Sequence, residues 1–317
     1  GRGLWGRGSL ISTSACGLSR APVPGGGGGA VLLTSGALPT DQERDLSDRY
    51  GLPLLPESHV EAEGAASLGC ELGLLFKDGR LGLRVLGEGR GERSRGKKRA
   101  RRVAAPLVID LGQVMASRGS SEELLVRACR GRGALEGKVI WDMTAGVGRD
   151  AAVLASAGAR VTMFERSPVL AALLEDALRR AAGGDILGDG VDGGGTGSRA
   201  NGLAGHLALR HGDSLEAAER VSAEGLEVPD IAYLDPMFPA RTKTALVKKD
   251  MQLLHLLHGM PEQGSRHDAE AALLHAARSL SKERIVVKRP KSAQPIAGVK
   301  PSHMIQGSSC RFDVYLP

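Results

Sequence analysis

Aromatic residues and cysteines are both scarce in this chain of 317 residues. Four Phe, two Trp and three Tyr make up 3% of it, so few rings are available for stacking on nucleic-acid bases, and Phe238 stands out among them. The four cysteines are far apart and form no C-x-x-C pair; they are Cys16, Cys70, Cys129 and Cys310. This spacing argues against a metal site or a disulfide framework and favours a reducing compartment. No apolar run reaches the length of a transmembrane helix, so no membrane partner is expected.

Acidic residues are absent from the first 40 positions. That segment holds Arg2, Arg7, Arg20 and a run of glycines at 25–29, and the first acid is Asp41. Such a composition is typical of an organellar transit peptide or of a disordered segment. We therefore exclude residues 1–40 from the predicted fold, and an organellar location stays open.

Basic residues outnumber acidic ones, 42 to 36, which gives a net charge of +6 and favours a polyanionic partner such as RNA. Residues 90–102 form a basic block with a single acid, Glu92. The block is either an arm that contacts phosphates or a solvated loop or address sequence. Shortly before it, residues 79–85 alternate enough for an edge strand.

Residues 138–165 carry the pattern of a strand, a glycine turn, a helix and a second strand. The first apolar run ends in Asp142, a loop with Gly146 and Gly148 follows, and the second apolar run ends in Glu165. Glycine lets the backbone pass close under a ligand, and the helix N-terminus offers free N–H groups. An acid at the tip of the second strand can bind both hydroxyls of a ribose.

Two carboxylates distinguish between the candidate ligands of this loop. Asp142 precedes it and Asp150 lies within it. They would repel a pyrophosphate but suit a ligand that carries an ammonium and a sulfonium, such as S-adenosylmethionine. The third glycine position of a dinucleotide fingerprint holds Ala151, which that fingerprint tolerates. A dinucleotide site and a ligand-free turn therefore stay open as alternatives.

A second stretch follows a predicted buried strand and reads Asp235-Pro236-Met237-Phe238. An acid-Pro-x-aromatic tetrad at a strand end is how amino-directed methyltransferases bind a planar nitrogen. Carboxylate and backbone carbonyl oxygens accept from the exocyclic amine, proline stiffens the turn, and the ring stacks on the base. The simpler interpretation is an Asp-Pro turn that caps a strand, and the glycine loop in the same chain favours the first.

The remaining pattern alternates helices and strands. Asp213 follows the third strand and can accept from an adenine amine or cap a helix. Residues 183–205 are of low complexity and predict a flexible surface insertion. Further strands are predicted at 106–110, 207–210, 229–234, 284–288, 303–306 and 311–316, and a reversed strand direction is expected at the sheet edge that the last two form.

Five segments together resemble the ribosomal RNA small subunit methyltransferase J family. They are WDMTAGVGRDAAVLASAGARVTMFERSPVLAALLEDAL, LALRHGDSL, YLDPMFPARTKTALVKKDM, RIVVKRP and RFDVY. The pairing of DPMFP with ALVKK is far more specific than a glycine loop. The resemblance implies a class I S-adenosylmethionine-dependent methyltransferase, an α/β fold with a Rossmann-like, mostly parallel sheet. It places the methyltransferase domain at 106–317 and a small N-terminal α/β lobe at 41–105.

The implied reaction moves a methyl group from S-adenosylmethionine to the exocyclic N2 of a guanosine in small-subunit, 16S-type rRNA. Asp235, Pro236 and Phe238 would be catalytic. By resemblance, the donor-binding positions are Arg149, Asp150, Glu165, Arg166, Asp213, Ser214 and Asp235, to which the loop chemistry adds Asp142, Gly146 and Gly148. Cations beside the target pocket would contact RNA, with a solvated surface as the alternative; these are Arg241, Lys243, Lys248, Lys249, Lys288 and Arg289.

The resemblance leaves other functions open. In the family the region after residue 110 is rich in Arg and Gly, whereas here only residues 115–119 keep that character. Rival functions are an amino methyltransferase for another base or a protein amide, and a non-catalytic ribosome-assembly factor of the same fold. The implied partner is small-subunit rRNA or the small ribosomal subunit, in the cytoplasm.

Overall fold

The computed structural model describes residues 29–36, 38–65, 67–86, 105–116, 120–183, 203, 205–236, 257 and 263–317. Several predicted features lie outside these residues. They include the basic block at 90–102, most of the insertion at 183–205, and the acceptor-side residues Phe238, Arg241, Lys243, Lys248 and Lys249.

A seven-stranded sheet forms the larger part of the described chain. Its strand order is β10-β11-β9-β8-β5-β6-β7. All neighbouring strands pair in parallel except β11, which is antiparallel to both β9 and β10. The bounds are β5 Val139–Asp142, β6 Arg160–Glu165, β7 Leu207–His211, β8 Ile231–Leu234, β9 Arg284–Pro290, β10 His303–Gln306 and β11 Cys310–Tyr315. This confirms the expected Rossmann-like, mostly parallel sheet. The reversed strand near its edge is β11, whereas the edge strand β10 runs in the direction of the parallel strands.

Helices cover both faces of this sheet. Because alternate residues of a strand point to opposite faces, Ile140 of β5 joins one core while Val139 and Trp141 join the other. The first core includes α4 Ser120–Arg130, α5 Arg149–Ser156 and α6 Pro168–Gly183, and the second includes α7 Ser214–Glu219 and α8 Gln263–Leu280. Strands buried on both faces explain the uninterrupted apolar runs in the sequence.

A second, four-stranded sheet forms an N-terminal lobe with the order β2-β1-β3-β4. Its elements are β1 Gly29–Thr34, α1 Asp41–Tyr50, β2 Leu54–Pro56, α2 Glu57–Glu63, β3 Cys70–Lys77 and β4 Arg80–Val85. The hairpin β3–β4 places β4 at the edge, which confirms the predicted edge strand.

The exclusion of residues 1–40 from the fold was wrong at its C-terminal end. Strand β1 lies inside the lobe sheet, pairs in parallel with β2 and β3, and buries Leu32 and Leu33. The apolar run there is short and follows the glycines at 25–29, so the local composition does not predict a strand. Pairing with β2 and β3 stabilises it.

The strand predicted at 106–110 was also wrong. Leu107 makes only an isolated antiparallel bridge to Leu83 of β4, so this segment extends the lobe and not the large sheet. Helix α3, Leu111–Ala116, follows at once.

The lobe packs against α6 through two buried acids of that helix. Glu175 accepts hydrogen bonds from the Tyr50 hydroxyl and from Arg49, the latter at 2.5 Å. Asp176 accepts from the backbone N–H of Leu81 at 3.1 Å. The Tyr50 ring also meets the His211 ring edge-on, with centroids 5.1 Å apart, so the lobe reaches the end of β7.

Within the described residues, none of the helices combines the length and apolar character needed to cross a membrane.

Candidate active site

Ionisable side chains gather at the carboxyl ends of the central parallel strands. Asp142 ends β5, Glu165 ends β6, Asp213 follows β7, Asp235 follows β8, and Lys288 lies in β9. In open α/β sheets ligands bind outside the carboxyl ends of the strands. The fold therefore brings together acids that are as far apart in sequence as Asp142 and Asp235.

The glycine loop joins β5 to α5 and sits between the neighbouring strand ends. The N–H of Met143 donates to the Tyr233 carbonyl of β8 at 3.0 Å, and the N–H of Ala145 donates to the Phe164 carbonyl of β6 at 3.1 Å. Gly148 is the N-cap of α5 in the left-handed conformation, with φ of 72°. A Cβ at this position would lie 2.7 Å from the Leu174 side chain. Glycine is therefore required both by the backbone angle and by the close approach of α6.

Replacing Gly148 with Ala should lower the free energy of unfolding by about 2–4 kcal/mol, since overpacking against buried Leu174 adds to the left-handed strain. Gly225→Ala is the matched control, because Gly225 has φ of 61° but nothing within 4 Å of an added Cβ. Its expected loss is about 1–2 kcal/mol. Urea unfolding measures both, and equal losses for the two variants would show that the contact with Leu174 relaxes freely.

Glu165 is held by two backbone donors. Its carboxylate accepts from the N–H of Gly146 at 2.9 Å and from the N–H of Ser167 at 2.7 Å, and only 4% of the residue is exposed. Burial raises its pKa to about 7, although the two backbone hydrogen bonds oppose that rise. The carboxylate is thus fixed in direction, and the lone pairs not used by the backbone can accept from two ligand hydroxyls.

Asp142 is buried beneath the loop. Its carboxylate accepts from the N–H of Thr144 at 3.2 Å, and the residue is 1% exposed. Burial and the nearby Asp150 raise the pKa of Asp142 well above its ordinary value. A cation bound beside these two carboxylates would relieve their repulsion.

Lys288 connects two carboxylates from different elements. Its Nζ lies 2.6 Å from Oδ2 of Asp150 at the start of α5 and 2.9 Å from Oδ2 of Asp235. The hydroxyl of Tyr233 also donates to Asp150, at 2.5 Å, and the N–H of Asp235 donates to Thr144 Oγ1 at 2.7 Å. Asp235 is therefore fixed through both its backbone and its side chain.

Asp213 is the N-cap of α7, as predicted, and accepts from the N–H of Leu215 at 2.8 Å. Ser214, beside it, is buried. The N–H of Gly212 donates to the Glu165 carbonyl at 2.9 Å, so the turn that carries Asp213 is tied to the end of β6. Asp213 and Glu165 thus lie at the ends of neighbouring strands.

Two predicted RNA contacts need correction. Arg289 is 4% exposed, its guanidinium pairs with Glu270 at 3.0 Å and it donates to the Gln294 carbonyl, so it is a core residue. Lys288 points into the acid group and not towards an external phosphate. Side chains alternate along a strand, so two consecutive cations at a strand tip cannot both face the same surface.

Arg149 and Arg166, which the resemblance counted among the donor-binding positions, both carry exposed side chains. Sequence reasoning missed Thr144 and Tyr233 as members of the site. Thr144 lies inside the glycine loop and Tyr233 lies inside an apolar strand, so the residue type at each position is explained by the local element and does not by itself indicate a site residue.

The described residues contain no group of three or more His, Cys, Asp and Glu arranged to hold a metal ion.

A sequence profile for the family described as "Putative SAM-dependent methyltransferase" matches residues 95–317. This chain belongs to that family. The SAM-dependent methyltransferase fold is also seen in a solved structure from Neisseria gonorrhoeae, which is 29% identical, covers 91% of this chain and 96% of its own, and has a TM-score of 0.60.

Curated relatives of this SAM-dependent methyltransferase carry the name ribosomal RNA small subunit methyltransferase J. The protein from Alteromonas mediterranea is 37% identical over 277 residues, which cover 86% of this chain and 90% of the relative. The protein from Neisseria meningitidis serogroup C (strain 053442) is 44% identical over 179 residues, 56% of this chain. That match spans 63% of the length of the Neisseria meningitidis relative.

The side chains at the strand ends fit S-adenosylmethionine, the cofactor of this family. Its ammonium and sulfonium suit a site whose carboxylates outnumber its one lysine, and the fixed Glu165 suits a ribose diol. The same acids would repel a pyrophosphate, so the dinucleotide alternative is rejected on chemistry.

Proposed function

We propose that this chain transfers a methyl group from S-adenosylmethionine to the exocyclic N2 of a guanosine in small-subunit rRNA. The observation that carries the proposal is the placement of Asp235. This carboxylate follows β8, beside the glycine loop, and is tied to the donor side of the site through Thr144 and Lys288. The names of the curated relatives support small-subunit rRNA as the substrate class.

The donor half of the site would be formed by β5, β6 and β7. Asp142 and Asp150 would face the cationic part of S-adenosylmethionine, Glu165 its ribose, and Asp213 with Ser214 its adenine. When bound, S-adenosylmethionine supplies an electrophilic methyl group on a sulfonium. Tyr233 and Lys288 keep Asp150 oriented through hydrogen bonds at 2.5 and 2.6 Å.

The acceptor half would begin at Asp235. The lone pair of a guanine N2 is delocalised into the ring, so it is a poor nucleophile until its hydrogens are bound. Asp235 and the Pro236 carbonyl would accept hydrogen bonds from those N–H groups, localise the lone pair and aim it at the methyl carbon, while Phe238 would stack on the base. As the new N–C bond replaces the S–C bond, N2 would lose one proton, which the Asp235 carboxylate can accept and pass to solvent. Rate acceleration would come from positioning and electrostatics and not from a strong base.

The direct test is transfer of labelled methyl from S-adenosylmethionine to small ribosomal subunits that lack base methylation, with naked rRNA in parallel. Nucleoside analysis of the digested rRNA should show one labelled N2-methylguanosine. Label on adenosine or on protein would keep the methyl transfer and reject the acceptor. No label, with the donor still bound in calorimetry, would favour an assembly factor. A preference for subunits over naked rRNA would identify the assembled small subunit as the partner.

Donor affinity is expected to rise with pH up to about 7 and then to level off. The pKa of Glu165 is raised to about 7, so below that pH the unliganded carboxyl holds a proton. A cationic ligand with hydroxyls on this carboxyl favours the ionised form, so binding must release the proton and loses up to about tenfold in affinity per pH unit. Calorimetry in two buffers of different ionisation enthalpy should show more proton release at about pH 6 than at about pH 8.

The same raised pKa predicts how the unliganded protein depends on pH. Because Glu165 binds its proton more tightly in the folded state than the ordinary value of 4.5 allows, its contribution to stability is full below pH 4.5 and is lost as pH rises to about 7. Glu165→Gln should remove both this loss and the proton release. Proton release that persists in that variant would assign the titration to another carboxyl.

A further inference from the structure

Lys288 occupies a position that its neighbours in the sheet determine. Strands β8 and β9 are parallel, with Leu234 opposite Val287, so Asp235 and Lys288 come next on adjacent strands. The Lys288 side chain is 27% exposed and that of Asp235 is 35% exposed. Two of the three N–H groups of the ammonium are directed to Asp150 and Asp235, at 2.6 and 2.9 Å.

Asp235 lies in surroundings that work against its charge. Partial burial raises the pKa of Asp235, Lys288 lowers it, and Asp150 raises it again, with a net rise. The charged and titratable groups of β5, α5, β8 and β9 that lie close enough to act on Asp235 through their charge are Asp142, Asp150, Tyr233, Lys288 and, from the opposite face of β9, Arg289. Among them Lys288 is the cation in direct contact with the carboxylate, since Arg289 is paired with Glu270.

A protonated Asp235 would serve the proposed reaction less well. A carboxylic acid has one oxygen that carries a proton and only its other oxygen as a good acceptor, whereas both oxygens of a carboxylate accept from the amine hydrogens. The carboxylate must also keep its direction when a cationic ligand enters beside Asp142 and Asp150. An ammonium shared with Asp150 provides both, because it offsets the repulsion between the two carboxylates and ties Asp235 to the N-terminus of α5.

We propose that Lys288 is a positioning residue for methyl transfer, which bridges Asp235 to Asp150 and so holds the Asp235 carboxylate directed at the acceptor amine. This inference rests on the proposed function. It replaces the expectation that Lys288 contacts an RNA phosphate, since its ammonium is already engaged by two carboxylates.

The first test measures the titration of Asp235 without donor or RNA. Carboxyl-labelled aspartate is followed by ¹³C NMR against pH, and the Asp235 signal is assigned by its loss in Asp235→Asn. In Lys288→Met the Asp235 pKa should rise, because the cation in contact with its carboxylate is removed. Lys288→Arg should stay near the unmodified protein. Lys291→Met is the matched control, an exposed lysine three positions on, and should change nothing.

The second test measures turnover. Lys288→Met should lower kcat by about 10- to 100-fold and move the acidic limb of the kcat profile to higher pH, so that raising the pH restores part of the rate. The KM for donor should change less than kcat does, because Tyr233 still holds Asp150. Lys288→Arg should recover part of kcat and the original limb.

The outcomes separate the inference from the proposed function. An unchanged Asp235 titration in folded Lys288→Met, or a fall in kcat with no shift of its acidic limb, overturns the positioning role. A lower slope of RNA affinity against salt in Lys288→Met, with an unmoved titration, restores the phosphate contact. If the unmodified chain transfers no methyl group to any RNA, the proposed function fails, and the titration still decides whether Lys288 holds Asp235 ionised.

Discussion

Asp235→Asn is expected to lower kcat for methyl transfer by about 10²- to 10³-fold, the range seen when one preorganised transition-state contact is removed. An asparagine keeps the shape and the backbone hydrogen bond to Thr144, but it presents an NH₂ group where an amine needs an acceptor. The nucleophile then loses its direction while the fold is preserved. Lys288 keeps its contact with Asp150, so the donor side stays in place.

Single-turnover transfer and donor calorimetry together measure this effect. The Kd for S-adenosylmethionine should change by less than about tenfold, because the loss is confined to the transition state. Asp268→Asn, an exposed acid on α8, is the control for a change in net charge and should be fully active. Full activity in Asp235→Asn would remove its assigned role, and an equal loss of kcat and donor affinity would make it a donor ligand only.

Glu165→Gln is expected to weaken donor binding by about 10- to 100-fold, equivalent to about 1–3 kcal/mol. The amide has one acceptor oxygen where the carboxylate has two. Either Gly146 N–H or Ser167 N–H therefore faces an NH₂ group, and a ribose loses one of its acceptors. The hydrogen bond from Gly146 N–H to Glu165 also holds the glycine loop, so the position of the loop beside the methyl donor depends on this hydrogen bond.

Calorimetry above about pH 8, where Glu165 is ionised in the unmodified protein, measures this loss without a contribution from protonation. Glu219→Gln, an exposed glutamate at the end of α7, should bind the donor normally. The melting temperature of Glu165→Gln should stay close to that of the unmodified protein. The variant loses a backbone hydrogen bond, but it also no longer buries a carboxylate, and the two effects on stability oppose each other. Unchanged donor affinity would place the ribose elsewhere.

The β5–α5–β6 part of the large sheet can be predicted from sequence because the residue patterns that specify it are local. Apolar runs that end in Asp142 and Glu165, with glycines between them, specify a strand, a turn, a helix and a strand without reference to the rest of the chain. The N-terminal lobe carries weaker signals. Its first strand pairs with residues about 40 positions away, at 70–75, and a six-residue strand beside a glycine run has no local mark of that pairing.

Sequence by itself determined the order along the chain of the seven strands of the large sheet, the glycine loop, the acids at the strand tips and the chemical class of ligand that those acids suit. Each of these depends on residue type and on spacing within one strand or one strand–loop–helix segment. Only the tertiary structure decided that Lys288 bridges Asp150 and Asp235 while its neighbour Arg289 is buried against Glu270. The direction of a side chain depends on strand register and on partners contributed by distant elements, and neither can be read from the two residues Lys-Arg alone.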